Sequence, residues 1–212
     1  MKELIFATTN TYKVDEAQKI FSQIRPDIKI VPPRVQLNIP ELQGSKSNIR
    51  ELLVEIASDK AREAARQLNA PCFVEDTSLC FDALGGLPGP YIRAFVDLLG
   101  IKAAVKSARS TEADRQAARL KLFQLLAAFP DSTSAQAICV IGYCEKDGME
   151  PQCFQGVTDG NIVAPKGDTF YWDPVFQPTE FPGETFATIG PNQKNRISHR
   201  RKAFELLGAF LP

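Results

Sequence analysis

The sequence predicts an α/β fold with a mixed sheet. Three observations carry that prediction. Helical and strand patterns alternate through the first half of the chain. A hairpin of two apolar strands dominates the second half. Between them, residues 73–93, FVEDTSLCFDALGGLPGPYIR, run from a short apolar segment into two adjacent acids, Glu75 and Asp76, and then into a turn rich in glycine and proline. A strand that delivers acids to its carboxyl end, followed by a stiff loop, is a common way for α/β enzymes to present a metal ligand or a general base.

Leu4–Ala7 reads as a buried strand. The polar turn Thr8-Thr9-Asn10-Thr11 leads into a helix over residues 12–24, and Ile28–Val31 is a second strand. Pro32, Pro33 and Pro40 interrupt regular structure after it, so residues 36–44 are extended and loop-like. Ser47 or Asn48 caps a long helix reaching about Leu68, with Glu51 spaced as in a capping box. Cys72–Glu75 is a strand. Residues 91–99 and about 112–128 are helical, with a polar, flexible or helical insertion over 105–116. Ala135–Cys144 and Pro151–Val157 form a hairpin through Lys146-Asp147-Gly148. Asp159-Gly160 starts a turn before Ile162–Ala164. Residues 165–195 are rich in turns and aromatics, and Ser198 caps a last helix to Phe210.

Bulk composition narrows the function classes. With 212 residues the chain is long enough for a substantial core, as one large domain or two small lobes. A formal net charge of zero argues against bulk capture of nucleic acid or anionic membrane. No apolar run approaches the roughly 18–20 residues that span a bilayer. MKELIFATTN has an acid at its third position and turns polar after one strand's length, so it reads as a first strand and not a signal peptide. The five cysteines have no C-x-x-C spacing, which favours small hydrophobes in a reducing cytoplasm over disulfides or a zinc site.

Several charged side chains interrupt apolar helical stripes. On the long helix, Ile49, Leu52, Leu53, Ile56, Ala57, Ala61, Ala64 and Leu68 form one face, and Lys60 falls near its middle. Lys60 is either a surface lysine with a buried stem or a cation aimed at an anionic substrate. On the last helix, Ala203, Leu206, Leu207, Phe210 and Leu211 define the buried face, and His199 and Arg200 extend it at the first turn. Buried charges there need partners. His199 is the single histidine, and a structural role for it stands beside a functional one. Thr8, Thr9, Asn10 and Lys13 gather donors at a helix N-terminus, which suits phosphate. Phe170, Tyr171, Trp172 and Asp173 read either as core packing or as a base-stacking wall with an acid at the base edge.

These segments together resemble the inosine triphosphate pyrophosphatase family, the HAM1-like, non-canonical purine NTP pyrophosphatases. The matching blocks occur in family order: ATTN…K at 7–13, PELQG at 40–44, the helix with Lys60, VEDTSLCFDALGGLPGPYIR at 74–93, FYWDP at 170–174 and KNRISHR at 194–200. The resemblance implies an elongated mixed β-sheet flanked by helices, in two lobes with the active-site cleft between them, in a single domain over 1–212. It implies a cytoplasmic homodimer that hydrolyses ITP, dITP and XTP to monophosphate and pyrophosphate with Mg²⁺, or alternatively Mn²⁺. Thr8, Thr9, Asn10 and Lys13 match the triphosphate turn. Glu41 and Asp76 match metal-binding carboxylates, with Asp76 also the base that activates water. Glu75 is a further metal ligand or an outer-shell group, since neighbouring strand residues face opposite ways. Thr77 and Lys60 match substrate and phosphate contacts. Phe170, Tyr171, Trp172, Asp173, Lys194, His199 and Arg200 match the base pocket, and Arg93 ends the glycine-rich turn within reach of phosphates.

Two positions depart from the family pattern. Thr9 and Tyr171 stand where glycine is usual, and threonine fits poorly if position 9 needs positive φ. The family's connection near residues 100–116 is also shorter, which leaves a lid, a dimer contact or decoration as roles for the extra segment. The alternatives to the leading function are the same chemistry on a pyrimidine or modified nucleotide, and a non-catalytic nucleotide sensor.

Overall fold

The computed structural model describes residues 2–40, 44–169 and 171–212. The chain divides into two compact units. The first comprises Met1–Thr77, Cys139–Val157 and His199–Pro212, and the second Ser78–Ile138 and Thr158–Ser198.

In the first unit, β1 (Lys2–Phe6) lies parallel to β2 (Ile28–Val31) and to the start of β3 (Cys72–Phe81). The end of β5 (Ser134–Cys144) and the start of β6 (Gln152–Ile162) continue the sheet beyond β3. Strand alternation sorts its residues into two cores. Leu4, Phe6, Phe73, Cys139 and Ile141 pack with α1 (Thr11–Ile24) and α7 (His199–Phe210). Ala7, Cys72, Val74 and Cys144 pack with Ala61, Ala64 and Ala65 of α2 (Ile49–Leu68). Phe6 stacks on Phe73 at 4.4 Å between ring centroids, and Phe204 of α7 meets Phe73 edge-on at 5.7 Å. The small residues of α2 let it approach the sheet closely. A Cβ at Gly142 of β5 would stand 2.4 Å from the Ala57 carbonyl oxygen.

The helix ends follow local chemistry. Asn48, one of the two expected caps, accepts from the Arg50 and Glu51 N–H groups. Asn10 caps α1 by accepting from the Lys13 N–H at 3.3 Å.

In the second unit, β4 (Pro88–Gly89) pairs antiparallel with the end of β3, and β7 (Phe176–Pro178) pairs antiparallel with the end of β6. Three helices, α3 (Ile92–Leu98), α4 (Ile101–Lys106) and α5 (Glu112–Gln124), follow β4, and α6 (Pro191–Ile197) precedes α7 in the chain. Leu79, Phe81, Ile92, Val96, Ile101, Leu122, Trp172, Phe176 and Phe186 form the core. Among the described residues no helix is long and apolar enough to cross a membrane. All five cysteines are free thiols, four of them buried.

Two expectations, the ends of β3 and β6, are corrected by the structure, and two others are filled in. β3 does not end at Glu75. It runs on to Phe81 because Leu79 and Cys80 pair with β4 and because Leu79 and Phe81 fill the core. Glu75 and Asp76 therefore lie within a strand and not at its carboxyl end. β6 likewise passes through Asp159-Gly160 to Ile162 without a turn. Gly160 serves close strand approach, since a Cβ there would lie 2.3 Å from the Gln177 carbonyl oxygen. The polar insertion contains the end of α4, then a break, then α5, which starts on a Thr111–Asp114 capping box. The turn-rich stretch 165–195 holds β7 and most of α6, for which the sequence pattern gives little sign.

The Gly142 approach makes a direct test. Gly142→Ala is expected to lower the unfolding free energy by about 1–3 kcal/mol, because β5 and α2 must part to admit a methyl group. Urea unfolding with an unchanged m-value would show it, and a variant as stable as the wild type would contradict the packing described.

Candidate functional site

The two adjacent acids of β3 follow the alternation of the strand. Glu75 shares the parity of Phe73 and meets α1 and α7. Asp76 shares the parity of Val74 and meets α2.

On the Glu75 side a buried ionic network forms. Arg200 Nη2 donates to Glu75 Oε1 at 3.0 Å, and its Nε donates to Oε2 at 3.2 Å. The Thr77 hydroxyl donates to Oε1 at 2.5 Å. Lys13 Nζ lies 3.5 Å from Oε1 and donates to the Glu75 carbonyl oxygen at 3.3 Å. Arg200 Nη1 reaches Glu16 Oε2 at 2.6 Å. Two cations thus balance two acids. Burial pushes the Glu75 carboxyl up, but the charges of Arg200 and Lys13 and the hydrogen bonds from Arg200 and Thr77 overcome it. The carboxyl is held well below its ordinary value of 4.5. Arg200 is held firmly protonated, since Glu75 and Glu16 outweigh its own burial. Both oxygens of Glu75 are taken by protein donors, which fits the outer-shell alternative better than direct metal ligation.

On the Asp76 side the arrangement is open. Lys60 Nζ meets Asp76 Oδ1 at 2.9 Å. The lysine stem lies along the buried face of α2, and its side chain is 15% exposed. Asp76 Oδ2 is buried, and no donor among the described residues reaches it. An acceptor in that state costs free energy unless something outside the chain satisfies it. Asp76 supplies hard oxygen of the kind that Mg²⁺ takes. Glu41, its expected co-ligand, lies outside the described residues, as does Phe170. Among the described residues no group of three potential ligands comes together.

The turn before α1 is the third part of this unit. The Asn10 N–H donates to Thr8 Oγ1 at 3.1 Å, and the Asn10 side chain is used as the helix cap. Thr9 is exposed and does not have positive φ. Its threonine is therefore accommodated without strain. The departure that does carry positive φ is Tyr171, at +32°. His199 opens α7 and is buried, and a Cβ at Gly156 of β6 would come within 2.0 Å of its carbonyl oxygen.

The second unit holds the remaining candidates. Lys194 Nζ of α6 meets Asp173 Oδ2 at 2.5 Å and lies 5.2 Å from the centre of the Phe186 ring. Asp173 is buried. Trp172 is also buried, edge-on to Phe176 and tilted against Phe186, so core packing occupies its ring. Arg93 is exposed on α3. Arg200, expected with the base-pocket residues, instead spends its donors on Glu75, Glu16 and Thr77 in the first unit.

The chain matches the Ham1 family over residues 4–210. The chain belongs to that family. It is 41% identical over 209 residues to the inosine triphosphate pyrophosphatase of Tuber melanosporum (strain Mel28), covering 98% of this chain and 96% of that one. It is 39% identical over 209 residues to that of Puccinia graminis f. sp. tritici, covering 97% and 94%. Among solved structures it resembles a HAM1 protein from Coxiella burnetii, with a TM-score of 0.72 at 30% identity over 99% of this chain and 98% of that one.

Sequence reasoning about this Ham1 chain missed Glu16, and it missed a second group in the second unit. Arg115, Gln116 and Arg119 of α5 all bond to residues 167–171. A signal was present. Arg115, Arg119, Leu122 and Leu126 share one helical stripe, the same interruption of an apolar face that singled out Lys60.

The network around Glu75 has a pH signature. Because its folded pKa is depressed, Glu75 contributes stability that is present above pH about 4.5 and is lost as pH falls below it. Glu75→Gln is expected to cost about 3 kcal/mol at pH 7 by leaving Arg200 short of charge. That difference should shrink as the wild type is acidified. Unfolding free energies measured from pH 7 to pH 3 check this, and a gap that stays constant in acid contradicts it.

Proposed function

We propose that the protein hydrolyses the non-canonical purine nucleoside triphosphates ITP, dITP and XTP to the monophosphate and pyrophosphate, with Mg²⁺ as its metal. The chain is a hydrolase of the nucleoside triphosphate pyrophosphate bond, as are the named pyrophosphatases that it matches along almost its whole length. The observation that carries the finer reading is the state of Asp76. One carboxylate oxygen is held by Lys60, and the other is buried with no donor among the described residues.

That state suits two tasks. Mg²⁺ binds through one or two carboxylates, several waters and substrate phosphates, so a full cage of protein ligands is not needed. Asp76, with Glu41, would hold it. Bound there, the metal neutralises phosphate charge and polarises phosphoryl oxygens. The chain's own residues do the rest. Asp76 Oδ2 is the acceptor for the proton of the water that cleaves the α–β anhydride. Lys60 orients that carboxylate through its contact with Oδ1, and it supplies positive charge for the phosphates. Lys13 and the backbone N–H groups at the start of α1 add to it, since a helix N-terminus favours anions. Glu75, tied down by Arg200, Thr77 and Lys13, holds the strand beneath Asp76 rigid.

Base selection falls to the second unit. A 6-oxo purine offers an acceptor where adenine offers an amino group. Lys194, steadied by Asp173, is a donor suited to that acceptor. An adenine nucleotide would leave the donor unpaired, and such a mismatch discriminates strongly.

Incubation with Mg²⁺ and ITP, XTP, GTP or ATP is the direct test. Pyrophosphate is expected, with kcat/KM for ITP and XTP roughly 100-fold or more above that for ATP. Asp76→Asn is expected to lower kcat by about 10²–10⁴ while ITP still binds. Orthophosphate as the product, or equal rates on ATP, would overturn the reading.

A further inference from the structure

Helix α5 directs three side chains onto one short run of backbone. Gln116 Nε2 donates to the Gly167 carbonyl at 2.6 Å. Arg119 Nη2 donates to the Thr169 carbonyl at 2.5 Å, and its Nε donates to the Tyr171 carbonyl at 3.0 Å. Arg119 Nη1 meets Asp168 Oδ1 at 2.8 Å. Arg115 pairs with the same carboxylate, its Nε at 2.7 Å from Oδ2, and its Nη1 donates to the Ser110 carbonyl at 2.8 Å.

Two features show that this is more than a surface contact. The Arg119 side chain is 0% exposed, and a guanidinium is costly to bury unless its donors are used. Here they are used on one carboxylate and two carbonyls. Tyr171, whose carbonyl Arg119 holds, has φ of +32°, where an L-residue is crowded by its own Cβ. A strained residue persists only where its surroundings over-determine it. Trp172 and Asp173 follow at once, and Asp173 carries Lys194.

We infer that Arg119 is a positioning residue for base selection: together with Arg115 and Asp168 it holds the backbone at Tyr171 in the left-handed conformation that sets where Trp172 and Asp173 stand. The inference rests on the nucleotide pyrophosphatase reading, and it gives the extra segment and the helix after it a role. The planar fork of arginine reaches two carbonyls and a carboxylate at once, whereas the single ammonium of lysine does not. Released from Arg119, Tyr171 relaxes and the Asp173–Lys194 pair shifts with it. The effect falls on binding and discrimination and not on the proton transfer at Asp76.

The test is Arg119→Lys, which keeps the charge beside Asp168. KM for ITP is expected to rise about tenfold, with kcat within about twofold and the preference for ITP over ATP reduced in step with KM. Tyr171→Gly in the same background should recover much of the loss, because glycine adopts positive φ without a brace. Trp172 is the single tryptophan and is buried, so its fluorescence reports on the same loop without any substrate. Arg119→Lys should raise its quenching by acrylamide. Should that variant not fold, Asp168→Asn loosens both arginines and is expected to act in the same direction, by about threefold on KM. A folded variant with wild-type KM, preference and quenching overturns the inference, and so does a loss confined to kcat. A wild type that hydrolyses no nucleotide sinks the function instead, and the quenching then decides the brace by itself.

Discussion

The alternation of β3 at Glu75 and Asp76 is the constraint on which the first unit depends. Two adjacent acids in a strand cannot face the same way. One is delivered to α1 and α7, where Lys13, Glu16, Thr77 and Arg200 enclose it. The other is delivered to α2, where it meets Lys60. A slip of one residue in the register of β3 would exchange the two environments and bury the wrong acid. The pairing of Ile5 with Cys72 and Phe6 with Phe73 therefore sets the chemistry as well as the sheet.

The two environments divide the work by their electrostatics. Glu75 lies where little water screens charge, so its contacts are strong and its oxygens are fully spent. It makes the strand stiff and keeps Arg200 from moving. Asp76 stands at the edge of that network with one oxygen in hand. A carboxylate that must bind a metal or accept a proton needs spare acceptor capacity, and its support must come from elsewhere. In this chain the support is the neighbouring residue in the strand.

The second unit solves a different problem. Of its candidate base-reading residues, Tyr171 and Trp172 sit on irregular backbone, which has no ladder of its own to hold it. Side chains from α5 substitute for that ladder by satisfying the carbonyls of residues 167, 169 and 171. The sequence marked residues 105–116 only as a polar, flexible or helical insertion. Its neighbour Arg119 is fully buried, because its partners are carbonyl oxygens and a carboxylate and not apolar side chains.

Much of this protein was legible in its sequence. Periodicity together with turn and capping residues placed α1, β2, α2 and α7 within a residue or two, and periodicity marked Lys60, His199 and Arg200 as polar groups on apolar stripes. The family resemblance rested on contiguous blocks that a reader of one chain can quote. What local pattern misassigned was the end of β3 and the end of β6. β3 and β6 continue past acids and glycines because partner strands further along the chain, β4 and β7, are there to pair with them. Partner choice was hidden for the same reason. Nothing local says that Arg200 would close on Glu75, or that Arg119 would seize the backbone beside Tyr171, since each pair is separated by 50 or more residues. The sequence by itself determined which groups are charged, the buried face of α2 and which family the chain resembles. On α7 it assigned Leu206 and Phe210, which are exposed, to the buried face and passed over Phe204, which is buried. Only the tertiary structure decided which charge meets which, because the cost of burying a charge is a property of its neighbours in space and not of its neighbours in the chain.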